Sequence, residues 1–250
     1  VNVMRQLRGL GAVMRAIPTN ALTMDQLNLP HAVRQLAFNA SGLILVTGKT
    51  GSGKSTTLAA IIDDINTRIK GHILTIEDPI EFVHVRKNCL ISQREVGVHA
   101  HSFSRALKSG LREDPDVILV GELRDYETMS IAVTAAEMGI LVMGTLHTNG
   151  AGPTVDRMVN VFPVDKQPHV RTMLSTSLRG VVSQQLLQRA DKQGRVAALE
   201  VLVNTPAVAN LIRQGKLDQL ETTMQAGSQF GMRTMDVAIQ ALLDEGSITG

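Results

Sequence analysis

The sequence predicts an α/β fold, a parallel sheet covered by helices on both faces, with a small helical subdomain behind it. Two observations predict the sheet. Short apolar runs at residues 43–47, 73–77, 117–120 and 140–146 alternate with helical stretches near 56–70, 102–109 and 128–138. Strands alternating with helices of that length pair in parallel, and helices then cover both faces. The third observation concerns the end of the chain. After about Arg189 a last strand at 195–203 is followed by three amphipathic stretches, 205–214, 217–226 and 234–244, separated by Gly215-Lys216 and by a glycine-bounded turn at 227–231.

Taken in order, the chain opens with Val1-Asn2-Val3-Met4, which reads as the tail of a strand, so a preceding segment is expected. The run LILVT at 43–47, bounded upstream by Ser41-Gly42, reads as a short buried strand. A helix with no breaker in its first three turns starts at Thr56. Between strand and helix stand Gly48, Lys49, Thr50, Gly51, Ser52, Gly53, Lys54 and Ser55, which fit G-x-x-x-x-G-K-[ST] without a mismatch. A loop of this composition lets backbone N–H groups close around a phosphate, with the partial positive charge of the helix N-terminus behind them. Lys54 then reaches the β and γ oxygens of a nucleoside triphosphate, the Ser55 hydroxyl ligates Mg²⁺, and Thr56 belongs to the same cradle. ATP or GTP is the expected ligand.

Three further strand ends carry chemistry. Residues 73–77 run into Glu77-Asp78-Pro79-Ile80-Glu81; residues 117–120 end in Gly121-Glu122, with glycine where a Walker B strand usually has Asp; residues 140–146 end in His147-Thr148. Ligands of open α/β sheets sit outside the carboxyl ends of the strands, so one edge accounts for all four. Hydrolysis of a phosphoanhydride needs a metal ligand, a group that activates water and cations for the transition-state charge. Glu81 and Glu122 are placed for the first two, His147 is placed to sense the γ-phosphate, and Arg8, Arg15, Arg94, Arg112 and Arg124 are the candidates for the third.

Composition narrows the class. Hydrophobic residues make up 44% of 250, but with five Phe, one Tyr and no Trp the core is aliphatic and a base-stacking surface is not expected. A net charge of +2 with interspersed signs gives no field for nucleic acid or anionic lipid, so no nucleic-acid partner is expected. The single cysteine, Cys89, rules out an internal disulfide and a four-cysteine zinc module, and His99-x-His101 matches no zinc spacing. No apolar run approaches a membrane span, and a cytoplasmic protein is expected.

Together these motifs resemble the secretion ATPase superfamily, and within it the type IV pilus retraction ATPases. Residues 48–57 look like the family's Walker A, ILTIEDPIEFVH (73–84) like its Asp box, LREDPDVILVGELRD (111–125) like its Walker B region and MGTLHT (143–148) like the second half of its His box. Gln93-Arg94-Glu95-Val96 and the 205–213 segment are similar to further family signatures. The resemblance implies a PAS-like N-terminal domain whose remnant is residues 1–17, a linker at 18–30, a RecA-like ATPase core at 31–189 and a C-terminal strand and helical subdomain at 190–250. It implies a homo-hexamer hydrolysing ATP with Mg²⁺ to drive pilus retraction and twitching motility, peripheral at the inner-membrane pilus base, with the pilus platform protein and a second retraction ATPase as partners. It makes Glu81 the base, assigns Glu122 to Mg²⁺ in part through a water, places His147 by the γ-phosphate, and sets Arg8 and Arg15 across subunit or domain boundaries. The sequence departs from the family where Ile140 replaces a histidine and Ala209 replaces an arginine. Alternatives are a poorly hydrolysing accessory subunit, an assembly or type II secretion ATPase, which commonly carries the zinc module this chain lacks, and a RecA-like nucleic-acid translocase.

Overall fold

A computed structural model describes residues 2–14 and 21–249. The elements in chain order are β1 (Asn2–Gln6), β2 (Gly9–Val13), α1 (His31–Ala37), β3 (Gly42–Thr47), α2 (Lys54–Arg68), β4 (His72–Glu77), β5 (Leu90–Glu95), α3 (Phe103–Gly110) and β6 (Val117–Val120). They continue as α4 (Tyr126–Glu137), β7 (Leu141–Leu146), α5 (Ala151–Asn160), α6 (Gln167–Ser177), β8 (Leu178–Gln188), β9 (Arg195–Val203), α7 (Pro206–Gln214), α8 (Leu220–Ala226) and α9 (Met235–Asp244). Seven strands form one sheet in the order β5-β4-β6-β7-β3-β8-β9, parallel throughout except for β9, which runs antiparallel to β8.

Alternation along the central strands sends neighbouring side chains to opposite faces, and the two faces are separate cores. Leu43, Leu45, Leu74, Ile76, Ile118 and Val142 pack with Met129 and Val133 of α4, Val155 of α5 and Leu174 of α6. Ile44, Val46, Ile73, Leu119 and Met143 pack with Val33 and Leu36 of α1 and with Leu58, Ile61 and Ile65 of α2. Val208, Ile212, Leu220 and Met224 attach α7 and α8 to the first of these cores. The doubly covered sheet is therefore what the continuous apolar runs require.

The four expected strands are present within a residue at each end, and the expected 195–203 strand is β9. The structure differs at two expected boundaries. A core ending at 189 would cut the β8–β9 hairpin, whose ladder pairs Gln188 with Arg195 and Gly180 with Val203, so β9 belongs to the core sheet. The segment at 21–30 is not a free linker: Met24 is buried and Leu27 and Leu29 pack on the same core as α1. The three C-terminal helices appear, the middle one opening as a 3-10 turn, Leu217–Gln219, before α8. At the start, β1 and β2 form a separate antiparallel hairpin rather than one strand tail. Val1 and residues 15–20, including Arg15 and the end of the expected 1–17 remnant, lie outside the described residues. Among the described residues no helix is long and apolar enough to cross a membrane.

Candidate active site at the carboxyl edge of the sheet

The carboxyl ends of β3, β4, β6 and β7 open into a cleft of about 620 Å³. The loop between β3 and α2 forms one wall. Gly48 and Gly53 have φ of 139° and 88°, in the region that favours glycine. Side chains there would also collide: a Cβ at Gly48 would run into the Gln184 carbonyl, and one at Gly53 would stand 2.7 Å from the Gln184 amide nitrogen. Lys54 opens α2, its ammonium folded back to donate to the carbonyls of Gly48 at 2.7 Å and Lys49 at 3.1 Å. Burial pushes its pKa down, and the nearby charges of Glu122 and Glu81 oppose that shift. Ser52 Oγ is buried with no hydrogen-bond partner.

The floor is cross-tied. Gly121 N–H donates to Ile76 O at 2.7 Å, and the Thr145 hydroxyl donates to Gly121 O at 2.5 Å. A Cβ at Gly121 would stand 3.1 Å from Ile76 O and 3.2 Å from Glu77 Cα, a tight fit that favours glycine at this position. The acid comes one residue later. Glu122 pairs with Arg124 at 2.6 Å and with His147 Nε2 at 3.2 Å. The Arg124 guanidinium, ahead of the His147 contacts, holds the Glu122 carboxyl below its ordinary pKa, so it is anionic at neutral pH. Glu77 is the opposite case. It is nine-tenths buried, accepts from the Thr75 hydroxyl at 2.6 Å and the Gln93 amide at 3.2 Å, and burial raises its pKa.

Glu81, Glu122, Arg124 and His147 thus share the cleft with Thr50, Gly51, Gly53, Lys54, Ser55 and Thr56. Of the other candidate arginines, Arg8, Arg94 and Arg112 do not line it. Arg94, on edge strand β5, pairs with Glu113 at 2.5 Å and donates to Ser109 Oγ at 3.0 Å. Arg112 is exposed just beyond α3, Arg8 is exposed in the β1–β2 turn, and Arg15 is outside the described residues. Ile140 precedes β7, so the whole strand separates it from His147. Among the described residues no group of three or more His, Cys, Asp and Glu gathers as a metal cluster; His99 accepts the Glu95 N–H at 3.0 Å and Cys89 is buried against the Ile69 carbonyl.

Three contributors were not read from the sequence. Gln184, buried on β8, accepts from the Thr57 hydroxyl at 2.7 Å and donates to Ser52 O at 2.7 Å, bracing loop and helix together. Leu186 and Arg195, on β8 and β9, line the cleft beside the loop. Their elements lie far along the chain from the phosphate-loop pattern, which gives no local signal for them.

The loop composition, the orphaned Ser52 hydroxyl and the buried ammonium with two nearby carboxylates suit a polyphosphate with a divalent cation. Comparisons with known proteins agree in kind. The family model described as "Type II/IV secretion system protein" matches residues 2–243. A "Twitching motility protein" of Neisseria gonorrhoeae is 54% identical over 248 residues, covering 99% of this chain and 66% of the relative. A "Type IV pilus retractation ATPase PilT" of Pseudomonas aeruginosa is 52% identical over all of this chain and 72% of the relative. The crystal structure titled "Pilus Retraction Motor PilT and Bound ADP" superposes with a TM-score of 0.93 at 47% identity, over 99% of this chain and 70% of that one. The chain spans from 66% to 72% of the length of these curated relatives.

Proposed function

The chain belongs to the type II/IV secretion system protein family, and from that premise we propose that it is the ATP-hydrolysing core of a hexameric motor for type IV pilus retraction. One observation carries this reading: Lys54, Glu81, Glu122, Arg124 and His147 converge on the cleft bounded by the phosphate loop. The naming of its relatives for twitching and retraction supports the cellular role. The partners implied are five further copies of the chain, the inner-membrane pilus platform protein and a second retraction ATPase, at the cytoplasmic face of the membrane.

The loop amides and Lys54 hold the β- and γ-phosphates of ATP, the ammonium exchanging the Gly48 and Lys49 carbonyls for phosphate oxygens. Ser55 and Glu122 would hold Mg²⁺, Glu122 in part through a water, and the ion would neutralise charge that develops on the phosphates. Glu81 takes a proton from the attacking water while His147 faces the γ-phosphate. The products are ADP and phosphate, and closure of subunits around the nucleotide converts turnover into movement.

Three variants test the assignment. Lys54→Ala should abolish nucleotide binding; Glu81→Gln should bind ATP normally and hydrolyse it at least about a hundredfold more slowly. Unchanged turnover in Lys54→Ala would sink the phosphate-loop assignment. Normal turnover in Glu81→Gln with arrest in Glu122→Gln would move the base to Glu122.

A further inference from the structure

The link from β4 to β5, residues 78–89, crosses between parallel strands without a helix and has no ladder of its own. Six of its backbone polar groups are held instead by side chains from outside it. Two of these stand on β5. Glu95 Oε2 accepts the Ile80 N–H at 3.0 Å. Gln93 donates to the Phe82 carbonyl at 2.9 Å, accepts the His84 N–H at 2.8 Å, and donates to Glu77 Oε1 at 3.2 Å. Two residues apart on a strand, Gln93 and Glu95 present their side chains to the same face. They grip Ile80 and Phe82, the residues on either side of Glu81. Farther along, Asn66 of α2 takes over, donating to Val85 O at 2.8 Å and accepting the Lys87 and Cys89 N–H groups.

We propose that Gln93 and Glu95 are positioning residues for catalysis, a two-point clamp from the edge strand that fixes the backbone flanking Glu81 and so aims its carboxylate at the attacking water. The proposal rests on the reading of Glu81 as the base. A base misplaced by about 1 Å loses on the order of a hundredfold in rate without losing the substrate, because the phosphate loop lies on a different element. The clamp's arithmetic follows: Gln93 holds three groups and Glu95 one, so loss of Gln93 is the more costly.

The test is a double-mutant cycle on the full chain, reading kcat, KM for ATP and ADP affinity. Gln93→Met keeps volume and removes the three bonds; Glu95→Met removes one, and Glu95→Gln keeps an acceptor for the Ile80 N–H. Gln93→Met should lower kcat about tenfold to a hundredfold with ADP affinity within about twofold. Glu95→Met should lower kcat less, and Glu95→Gln should recover most of that loss. In a Glu81→Gln background neither methionine variant should cost anything further, because the group they aim is already inert. Equal losses in both backgrounds, or a loss lying in KM and ADP affinity, would overturn the clamp while leaving Glu81 as the base. Wild-type turnover in Glu81→Gln alone would remove the base and the clamp with it. Should Gln93→Met fail to fold, the Glu95 pair decides: the clamp stands if Glu95→Gln rescues kcat over Glu95→Met and falls if the two are alike.

Discussion

Lys54 shows how far a single side chain is defined by its surroundings. Its ammonium is buried and pairs with two backbone carbonyls, and burial lowers its pKa from the ordinary 10.5. Only the protonated form pairs with phosphate, so ADP affinity should fall as pH rises, beginning below the range of a free lysine. The sign is fixed: raising pH removes the charge and weakens binding. ADP titrations across the alkaline range check it, and affinity that stays flat up to pH 10.5 contradicts it. Gln184 is the counterpart that no motif marks. Its amide joins Ser52 of the loop to Thr57 of the helix. Gln184→Met removes two buried hydrogen bonds at constant volume, at about 1–3 kcal/mol. It should weaken ADP binding about tenfold and leave kcat at saturating ATP much less changed. An unaltered dissociation constant would mean that the loop holds its shape unaided. The difference in legibility has a physical reason. Lys54 stands in a local pattern that only phosphate binding requires, whereas Gln184 meets partners more than a hundred residues away and leaves no local trace.

The same contrast governs whole elements. β3, β4, β6 and β7 are readable because both their faces are buried, which demands unbroken apolar runs closed by polar residues. β5 escapes that rule as an edge strand, half-buried along most of its length and written LISQRE. β8 is hidden differently, since α6 passes into it at Leu178 with no glycine or proline between them. Missing β5 meant missing the clamp on Glu81, and missing β8 meant missing Gln184. Element junctions also carry Glu200, on β9. Its two oxygens accept the Ala151 N–H at the start of α5 at 2.7 Å and the Met235 N–H at the start of α9 at 3.1 Å. Its ladder partner Ser183 accepts the Gly150 N–H at 2.9 Å. One carboxylate therefore serves two helix N-termini, and the hydroxyl of its ladder partner holds the loop that follows His147. Glu200→Ala should destabilise the protein by about 2–4 kcal/mol, since both are charge-assisted bonds. Chemical denaturation measures the loss, and hydrogen exchange should rise together at residues 150–152 and 235–237. Exchange that rises at one helix only would show that the two ends are held independently.

At the scale of the whole molecule, the cleft is short of cations for the transition state. Of the basic groups that line it, Lys54 pairs with the loop carbonyls, Arg124 is paired with Glu122, and Arg195 stands on β9. Arg8 lies elsewhere, exposed in the turn of the β1–β2 hairpin, a two-stranded sheet whose Val3, Leu10 and Val13 are exposed as well. Such a hairpin is marginal by itself, and ring symmetry would give every site the same neighbour. If Arg8 stabilises a γ-phosphate it does so in another subunit, where a guanidinium supplied in trans is worth about a thousandfold or more in turnover. Arg8→Ala should then lower kcat only where light scattering reports assembled rings, and turnover per wild-type subunit should rise with protein concentration. Mixing separates an effect in trans from a folding defect. Lys54→Ala subunits have a dead site and an intact Arg8, whereas Arg8→Ala subunits have an intact site and no arginine to lend. Each is inactive as a pure ring, but a mixed ring places some intact sites beside intact arginines and should regain activity. Mixed rings no more active than the pure ones would return Arg8 to a structural role in its own hairpin.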